Sequence, residues 1–279
     1  MVKIFDGKKE AESMLEKIKI EIKKNNLNLG LAVILVGENP VSQIYVKQKE
    51  IACQKVGINF RLFKFPVNIE FEDLKKEIIK IVRAVDNSGV IIQLPLPKDI
   101  PTQEILNLIP LEKDIDVLSE KSLGKFYNNQ SSVLPPVVSG IKHFFEKYNI
   151  NFKDKKIAIL GSGRLVGKPT ALWLTMQGAT VSVLDEFTKN ISEITQKADI
   201  LISGTGKSKL VSDSLIKMGA IVVDVGTSVE AGKIGGDVDT KSILKKASIV
   251  SPVPGGIGPM TVGCLIENLF KLNQNKNEF

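Results

Sequence analysis

Residues 156–177 limit the fold more narrowly than any other part of the chain. Lys156-Ile157-Ala158-Ile159-Leu160 is a short apolar run that passes directly into Gly161-Ser162-Gly163-Arg164-Leu165-Val166-Gly167-Lys168-Pro169, and a helical pattern spans 166–177. An apolar run of this length without alternation suits a strand buried on both faces, as in parallel sheets covered by helices. Glycines at the turn let a ligand approach the backbone, and the amides at the following helix N-terminus favour an anion. The third glycine, Gly167, stands six residues after Gly161, one more than in the usual dinucleotide-binding fingerprint. The same glycines also suit a purely structural turn. What favours phosphate binding is the next strand, 180–184, which ends in Leu184-Asp185 about 20 residues farther on. A carboxylate there accepts hydrogen bonds from a ribose 2′-hydroxyl and repels a 2′-phosphate by several kcal/mol at an effective dielectric of about 20. On this reading Gly161, Ser162, Gly163, Arg164, Val166, Gly167 and Asp185 are candidate cofactor-binding residues, and NAD is favoured over NADP. The alternative leaves Asp185 as an exposed loop acid, with Arg164 or Lys189 compensating a phosphate.

The first half carries a related pattern. Ala11, Met14, Leu15, Ile18 and Ile22 predict a one-faced helix over 8–25. Strands are predicted at 31–36, 60–65 and 89–93, with helices at 41–56 and 71–85 between them. That alternation calls for a parallel sheet. The proline-studded stretch 95–136 reads as a connector interrupted by a short helix near 102–108, and a helix follows at 138–148. The second half restarts with strands at 156–160, 180–184, 199–203 and 220–225, and a last amphipathic helix runs from about 259 to 272. At roughly 150 residues per domain, 279 residues predict two α/β domains, the second doubly wound.

Composition removes several classes of function. With 43% apolar and 25% charged residues the chain is globular, and no apolar run reaches the roughly 18–20 residues of a membrane helix. Met1-Val2-Lys3-Ile4-Phe5-Asp6 lacks the apolar stretch of a signal peptide, so the cytoplasm is expected. Cys53 and Cys264 are too few for a disulfide framework or a zinc cluster and read as buried thiols. The single histidine, His143, excludes a multi-histidine metal site and reads as a surface or helix-end residue; no metal is expected. The net charge of +7 comes from scattered lysines such as Lys17, Lys19, Lys75 and Lys76, without an arginine-rich run interleaved with aromatics. A solvated surface explains it, and neither nucleic acid nor a membrane is expected as a partner. Gly206-Lys207-Ser208 imitates the end of a phosphate-binding P-loop, but Leu201 stands where that motif needs glycine.

A second candidate site lies in the first half. Ser42, Tyr45 and Lys49 are spaced three and four apart just after a strand, so they share one helical face. Gln93 ends a different strand, and ligands sit at the carboxyl ends of parallel strands. By spacing alone, Lys49 reads as one exposed lysine among many.

Tyr45-Val46-x-x-Lys49, Gln93-Leu94-Pro95-Leu96-Pro97, Lys113-Asp114-Ile115-Asp116, Gly161 to Pro169, Asp224-Val225-Gly226, Gly236-Asp237-Val238-Asp239 and Pro252-Val253-Pro254-Gly255-Gly256-Ile257-Gly258-Pro259-Met260-Thr261 together resemble, in order and across almost the whole chain, the bifunctional methylenetetrahydrofolate dehydrogenase/methenyltetrahydrofolate cyclohydrolase family. The resemblance implies hydride transfer from methylenetetrahydrofolate to NAD or NADP, then hydrolysis of the methenyl product to formyltetrahydrofolate. It implies that Lys49 is the general acid/base, that Gln93 holds and tunes it, that Tyr45 packs on the folate and that Asp116 anchors the pterin. Ser42, Pro254, Gly255 and Gly256 follow as further substrate contacts, and Gly204, Thr205, Gly226 and Thr227 as further cofactor contacts. The implied domains are a folate-binding catalytic domain at 1–119 and a Rossmann-type domain at 120–279. The substrate cleft is expected between them, the helix at about 259–273 packing back onto the first. A homodimer through the nucleotide-binding domains is also implied.

The chain departs from the family pattern in places. Gly161-Ser162-Gly163 replaces Gly-Arg-Ser, and Leu184-Asp185-Glu186 replaces a Cys-His-Ser series, changes that remove groups associated with the extra phosphate of NADP. Val117-Leu118-Ser119 follows Asp116 where Gly-Phe is usual, and Pro135-Pro136-Val137-Val138 replaces Pro-Cys-Thr-Pro. These put pterin placement and the balance of the two activities in question. A dehydrogenase with weak or no cyclohydrolase activity, and a non-enzymatic basic binding module, are the competing readings.

Overall fold

The computed structural model describes residues 2–230 and 233–274. It divides into two compact units, one formed by Met1–Ala11 with Val137–Thr261 and the other by Glu12–Pro136 with Val262–Phe279. The sequence-based division at 119/120 therefore differs from the structural one, and contacts within each unit explain the difference. Lys3 and Ile4 pair in parallel with Ile249 and Val250, and Phe5 meets Phe144 edge-to-face at a centroid distance of 5.2 Å. Phe144, Phe145, Tyr148, Phe152 and Trp173 continue that aromatic cluster. The N-terminal residues are thus built into the unit that holds most of the second half.

In the other unit the strand Gly30–Val36 is central, flanked in parallel by Asn59–Phe65 and Gly89–Ile92. Side chains alternate across a strand, so this apolar run feeds two cores. Leu31, Val33 and Leu35 pack with Leu15, Ile18 and Ile22 of the helix Gly7–Lys24, with Val46, Cys53 and Val56, and with Leu265, Ile266 and Leu269. Ala32, Ile34 and Val36 pack instead with Leu74, Ile78 and Ile81 of the helix Phe71–Arg83 and with Ile105 and Leu106. At roughly 1.5–3 kcal/mol per fully buried large aliphatic side chain, these faces anchor the unit. The C-terminal helix Ile257–Asn273 contributes its second half to this core.

In the unit containing the glycine-rich turn, the sheet is parallel with strand order Lys3–Ile4, Ile249–Ser251, Ile221–Asp224, Ile200–Ser203, Lys156–Leu160, Thr180–Leu184. From Lys156–Leu160 the chain crosses to one side, to Thr180–Leu184, and then returns to the other side at Ile200–Ser203. The strand order therefore reverses at the carboxyl end of Lys156–Leu160, the topological position where α/β sheets open a crevice.

The stretch read as a connector contains an unforeseen helix, Glu120–Tyr127, capped by Ser119, whose Oγ accepts from the Ser122 amide at 3.3 Å. At eight residues it is too short for its apolar positions, Leu123, Phe126 and Tyr127, to establish a helical period. Cys53 and Cys264 are buried free thiols. His143 lies on the helix Pro136–Lys147 with Nδ1 3.6 Å from a Glu146 carboxylate oxygen. Several surface lysines pair with acids three residues away, including Lys19–Glu16, Lys75–Glu72, Lys76–Asp73 and Lys80–Glu77. Such exposed pairs contribute about 0–1 kcal/mol each and describe a solvated face. Among the described residues, no helix is long and apolar enough to cross a membrane.

Candidate functional site

The helix Pro40–Val56 starts abruptly, and its cap sets where its first side chains point. Asn39 Oδ1 accepts from the Ser42 amide at 3.0 Å, while Pro40 occupies a first-turn position that needs no amide donor. Ser42, Tyr45 and Lys49 then share one face. Ser42 is buried and its Oγ donates to the Leu94 carbonyl at 3.2 Å. Gln93 Nε2 donates to the same carbonyl at 2.9 Å, which fixes the orientation of the Gln93 amide. Its Oε1 therefore faces the lysine and accepts from Lys49 Nζ at 2.7 Å. Lys49 is only 8% exposed and Gln93 9%, so this lysine is not one of the solvated ones. Tyr45, one turn earlier, is half-buried.

Burial pushes the Lys49 ammonium below its ordinary 10.5, and the negative charge of Asp116 opposes this without overcoming it. Asp116 responds in kind. Burial raises its carboxyl to about 6, against the pull of the Lys49 charge. Cys53, one turn beyond Lys49, is pushed by burial up to about 12 and stays a thiol at neutral pH. The result is an amine that loses its proton more readily than a surface lysine. It is held by an amide oxygen that accepts from the ammonium and the free amine alike, and a base of this kind can take a proton from water.

Asp116 is fixed from both sides along the chain. The buried Asp114 carboxylate accepts from the Leu118 amide with both oxygens at 3.2 Å and from the Ser119 amide at 2.8 Å. Asn268 Nδ2 donates to the Ile115 carbonyl at 2.9 Å and to that of Leu134 at 2.8 Å. Between these ties Val117 is fully buried with φ +57°. A β-branched residue there costs roughly 1–2 kcal/mol. The backbone thus keeps a conformation natural to glycine although valine occupies the position. Sequence pattern does not single out Asn268; its one signal is an amide among the apolar positions of the last helix, beside Leu265 and Leu269.

The second group of candidates surrounds Gly161. Its φ is +97°, and a Cβ there would meet the Gly204 carbonyl oxygen at 2.8 Å. A Cβ on Gly167, first residue of the helix Gly167–Met176, would lie 1.9 Å from the Gly161 carbonyl oxygen and 3.1 Å from Ser162 Cα. One on Gly204 would lie 2.4 Å from Val166 Cγ1. The spacing of six is absorbed by a turn at 164–166 before the helix begins. The Gly163 carbonyl accepts from the Lys168 amide at 3.1 Å, and both Gly163 and Arg164 are exposed. These bare glycines form a cradle that side chains would fill, which fits a dinucleotide phosphate at a helix N-terminus.

Asp185 follows the strand Thr180–Leu184, and the Gly161 amide donates to the Leu184 carbonyl at 2.7 Å. Asp185 Oδ1 accepts from the Phe187 amide at 3.1 Å and from Thr188 Oγ1 at 3.2 Å. The Thr227 carbonyl oxygen would lie 3.6 Å from a Cβ on Gly206, next to Thr205. Gly226 is buried and its amide donates to Asp224 Oδ1 at 3.0 Å. Burial raises Asp224 to about 7, the charge of Asp237 adding to the effect and backbone amides opposing it.

Pro254, Gly255 and Gly256 form a turn closed by the Gly256 amide on the Pro252 carbonyl at 2.9 Å. A Cβ on Gly7 would lie 1.8 Å from the Gly256 carbonyl oxygen, so Gly7, which no motif marks, supports this turn from the start of its helix. The structure thus brings Ser42, Lys49, Gln93 and Asp116 together in the unit of the central strand Gly30–Val36, and groups Gly161, Val166, Gly167, Gly204 and Thr205 in the other, which also holds Pro254–Gly256. Among the described residues, no three histidine, cysteine, aspartate or glutamate side chains gather as a metal cluster.

Residues 5–116 match the family model described as tetrahydrofolate dehydrogenase/cyclohydrolase, catalytic domain. Residues 135–277 match its NAD(P)-binding domain. The bifunctional protein FolD of Hydrogenobaculum sp. (strain Y04AAS1) is 42% identical over 270 residues, spanning 96% of this chain and 97% of that relative. The crystal structure of the bifunctional enzyme FolD, methylenetetrahydrofolate dehydrogenase/cyclohydrolase, from Campylobacter jejuni is 37% identical. It aligns with a TM-score of 0.92 over 100% of both chains. The Trypanosoma brucei dehydrogenase-cyclohydrolase, solved with NADP cofactor and inhibitor, aligns at 0.94 with 28% identity over 100% of this chain and 99% of its own.

Proposed function

We propose, because the chain belongs to the tetrahydrofolate dehydrogenase/cyclohydrolase family, that it oxidises methylenetetrahydrofolate to the methenyl cation and hydrolyses that cation to formyltetrahydrofolate. The observation that carries this reading is the buried Lys49 amine donating to Gln93 at 2.7 Å. NAD or NADP, when bound, would supply the hydride acceptor; Gly161 to Gly167, Gly204, Thr205, Gly226 and Thr227 would hold it, and Asp185 would accept from its ribose hydroxyls. In the hydrolytic step Lys49 as free amine accepts a proton from water attacking the cationic one-carbon bridge, and its Nζ–H stays on Gln93. Lys49 then returns the proton as the ring opens. Asp116 anchors the pterin, Tyr45 packs on it, and Ser42 adds a further substrate contact. The test is purified protein given methylenetetrahydrofolate with each nicotinamide cofactor, both steps being followed by absorbance. Absence of methenyl formation with either cofactor overturns the reading.

The same reading fixes a pH effect. The Asp116 charge opposes the lowering of the Lys49 pKa, so Asp116→Asn removes a force that keeps the ammonium charged. The ascending limb of the hydrolysis rate against pH is expected to move to lower pH in that variant, with KM for folate raised. A limb that stays in place, or moves up, contradicts the coupling.

Asp185 supports NAD over NADP, since its half-buried carboxylate is fixed in a turn and Ser162, not arginine, stands directly after Gly161. A higher kcat/KM with NAD is expected, and about a tenfold preference for NADP, a difference of about 1.4 kcal/mol, overturns the assignment. A homodimer belongs to this reading on the strength of the family resemblance, and light scattering after gel filtration measures it; a cytoplasmic location is proposed from the N-terminal sequence alone.

A further inference from the structure

Gly236-Asp237-Val238-Asp239 stands out in the sequence, and none of the chemistry above uses it. Asp237 is fully buried, yet one of its oxygens gathers three donors from the end of the strand Ile200–Ser203 and the loop after it. Oδ2 accepts from Ser203 Oγ at 2.7 Å, from the Thr205 amide at 2.6 Å and from Thr205 Oγ1 at 2.9 Å. Oδ1 is buried without a hydrogen-bond partner. It lies where a Cβ on Gly226 would come within 1.9 Å, so the missing side chain of Gly226 makes room for this carboxylate. Asp224 binds the same segment from the other side. It accepts from the Gly226 amide at 3.0 Å, the Asp237 amide at 3.1 Å and the Val238 amide at 2.9 Å. The turns after Ile200–Ser203 and Ile221–Asp224 are therefore tied to one buried carboxylate pair. Thr205, the residue most heavily bound, is also the one whose Cγ2 would lie 3.4 Å from a Cβ on Gly161.

We propose that Asp237 is a positioning residue for dinucleotide binding, acting through Thr205 and the Gly226 turn to hold them against the Gly161 loop. The proposal rests on the reading of those loops as cofactor contacts. Hydrogen bonds to a charged acceptor are stronger than neutral ones, and three on one oxygen leave the Thr205 backbone little freedom. Asp237 touches the loops rather than the cofactor, so its loss should weaken NAD and NADP alike and leave cofactor choice unchanged.

The test is direct titration of the full-length protein with NADH and with NADPH, read by nicotinamide fluorescence, alongside hydrolysis of methenyltetrahydrofolate, which consumes no cofactor. Asp237→Ala is expected to weaken both dinucleotides by about tenfold or more, the loss of one charge-assisted hydrogen bond or its equivalent. Hydrolysis should be retained, and Asp237→Asn, which keeps an acceptor oxygen, should recover most of the binding. Equal binding by the alanine variant overturns the proposal, and so does a parallel loss of hydrolysis, which marks a merely structural residue. Should the alanine variant fail to fold, Ser203→Ala decides. It removes one donor of three and should weaken both dinucleotides about threefold, within the range of a single net hydrogen bond. Unchanged binding there overturns the idea. A parent protein that binds neither dinucleotide overturns the functional reading and this proposal together, whereas failure of the variants alone removes only this proposal.

Discussion

Lys49→Met is expected to lower hydrolysis of methenyltetrahydrofolate by about 10³-fold or more while leaving a folded protein, the scale of loss for a positioned general base. Two forces keep that amine uncharged when it is needed. Burial lowers its pKa before any ligand arrives. A methenyl cation about 4 Å away then disfavours the ammonium by roughly 4 kcal/mol at an effective dielectric of about 20. Methionine matches lysine closely in length and needs no hydration, so the variant should pack. Its cost is the donor lost to Gln93 Oε1, about 1–3 kcal/mol, offset by no longer burying an amine. Lys49→Arg separates base from charge, because a guanidinium keeps its proton at any accessible pH. Both variants should lose hydrolysis as the absorbance decay of the methenyl compound records it. Turnover retained in both removes Lys49 from the mechanism.

The chain discloses its sheets more readily than its supports. Gly30–Val36 and Lys156–Leu160 are legible because a strand covered on both faces must be apolar throughout, and a glycine after it has few other uses. Lys49 is less so. Its spacing from Ser42 and Tyr45 gives a shared face, but only the bond to Gln93, 44 residues away, distinguishes it from a solvated lysine. The residues that hold the site are harder still. Asn268 reaches the Ile115 carbonyl across 153 residues, and no local period reports such a bond. Gly7 looks like any helix-start glycine until the Gly256 carbonyl is found against it. Val117 misleads in the opposite direction. Its side chain suggests that the turn after Asp116 has changed, yet Asp114 and the amides of Leu118 and Ser119 keep the left-handed backbone. Local sequence records propensity, whereas this turn is decided by a buried carboxylate. The place of the first 11 residues escapes local pattern for a like reason, since Phe5 finds its partner in Phe144.

Gly167→Ala should weaken dinucleotide binding by about 10²-fold while sparing hydrolysis. The new Cβ would stand 1.9 Å from the Gly161 carbonyl oxygen, 2.8 Å from its carbon and 3.1 Å from Ser162 Cα. All three are backbone, so no side chain can swing away. Real Cβ contacts begin near 3.0 Å, and either the phosphate turn or the helix Gly167–Met176 must therefore retreat by about 1 Å. A displacement of that size in a positioning element costs about 10²-fold, and here it falls on the amides that meet the phosphates. Titration with NADH and NADPH should show both losses together, since the turn serves features the two share. Gly124 provides the contrast. It lies inside the helix Glu120–Tyr127, and a Cβ added there would meet nothing within 4 Å. Alanine at that position should raise the melting temperature through the roughly 0.5–1 kcal/mol that separates the two residues in a helix. If Gly167→Ala binds both dinucleotides as the parent does, close packing of helix on turn is not what this spacing of glycines is for, and the cradle must be assigned elsewhere.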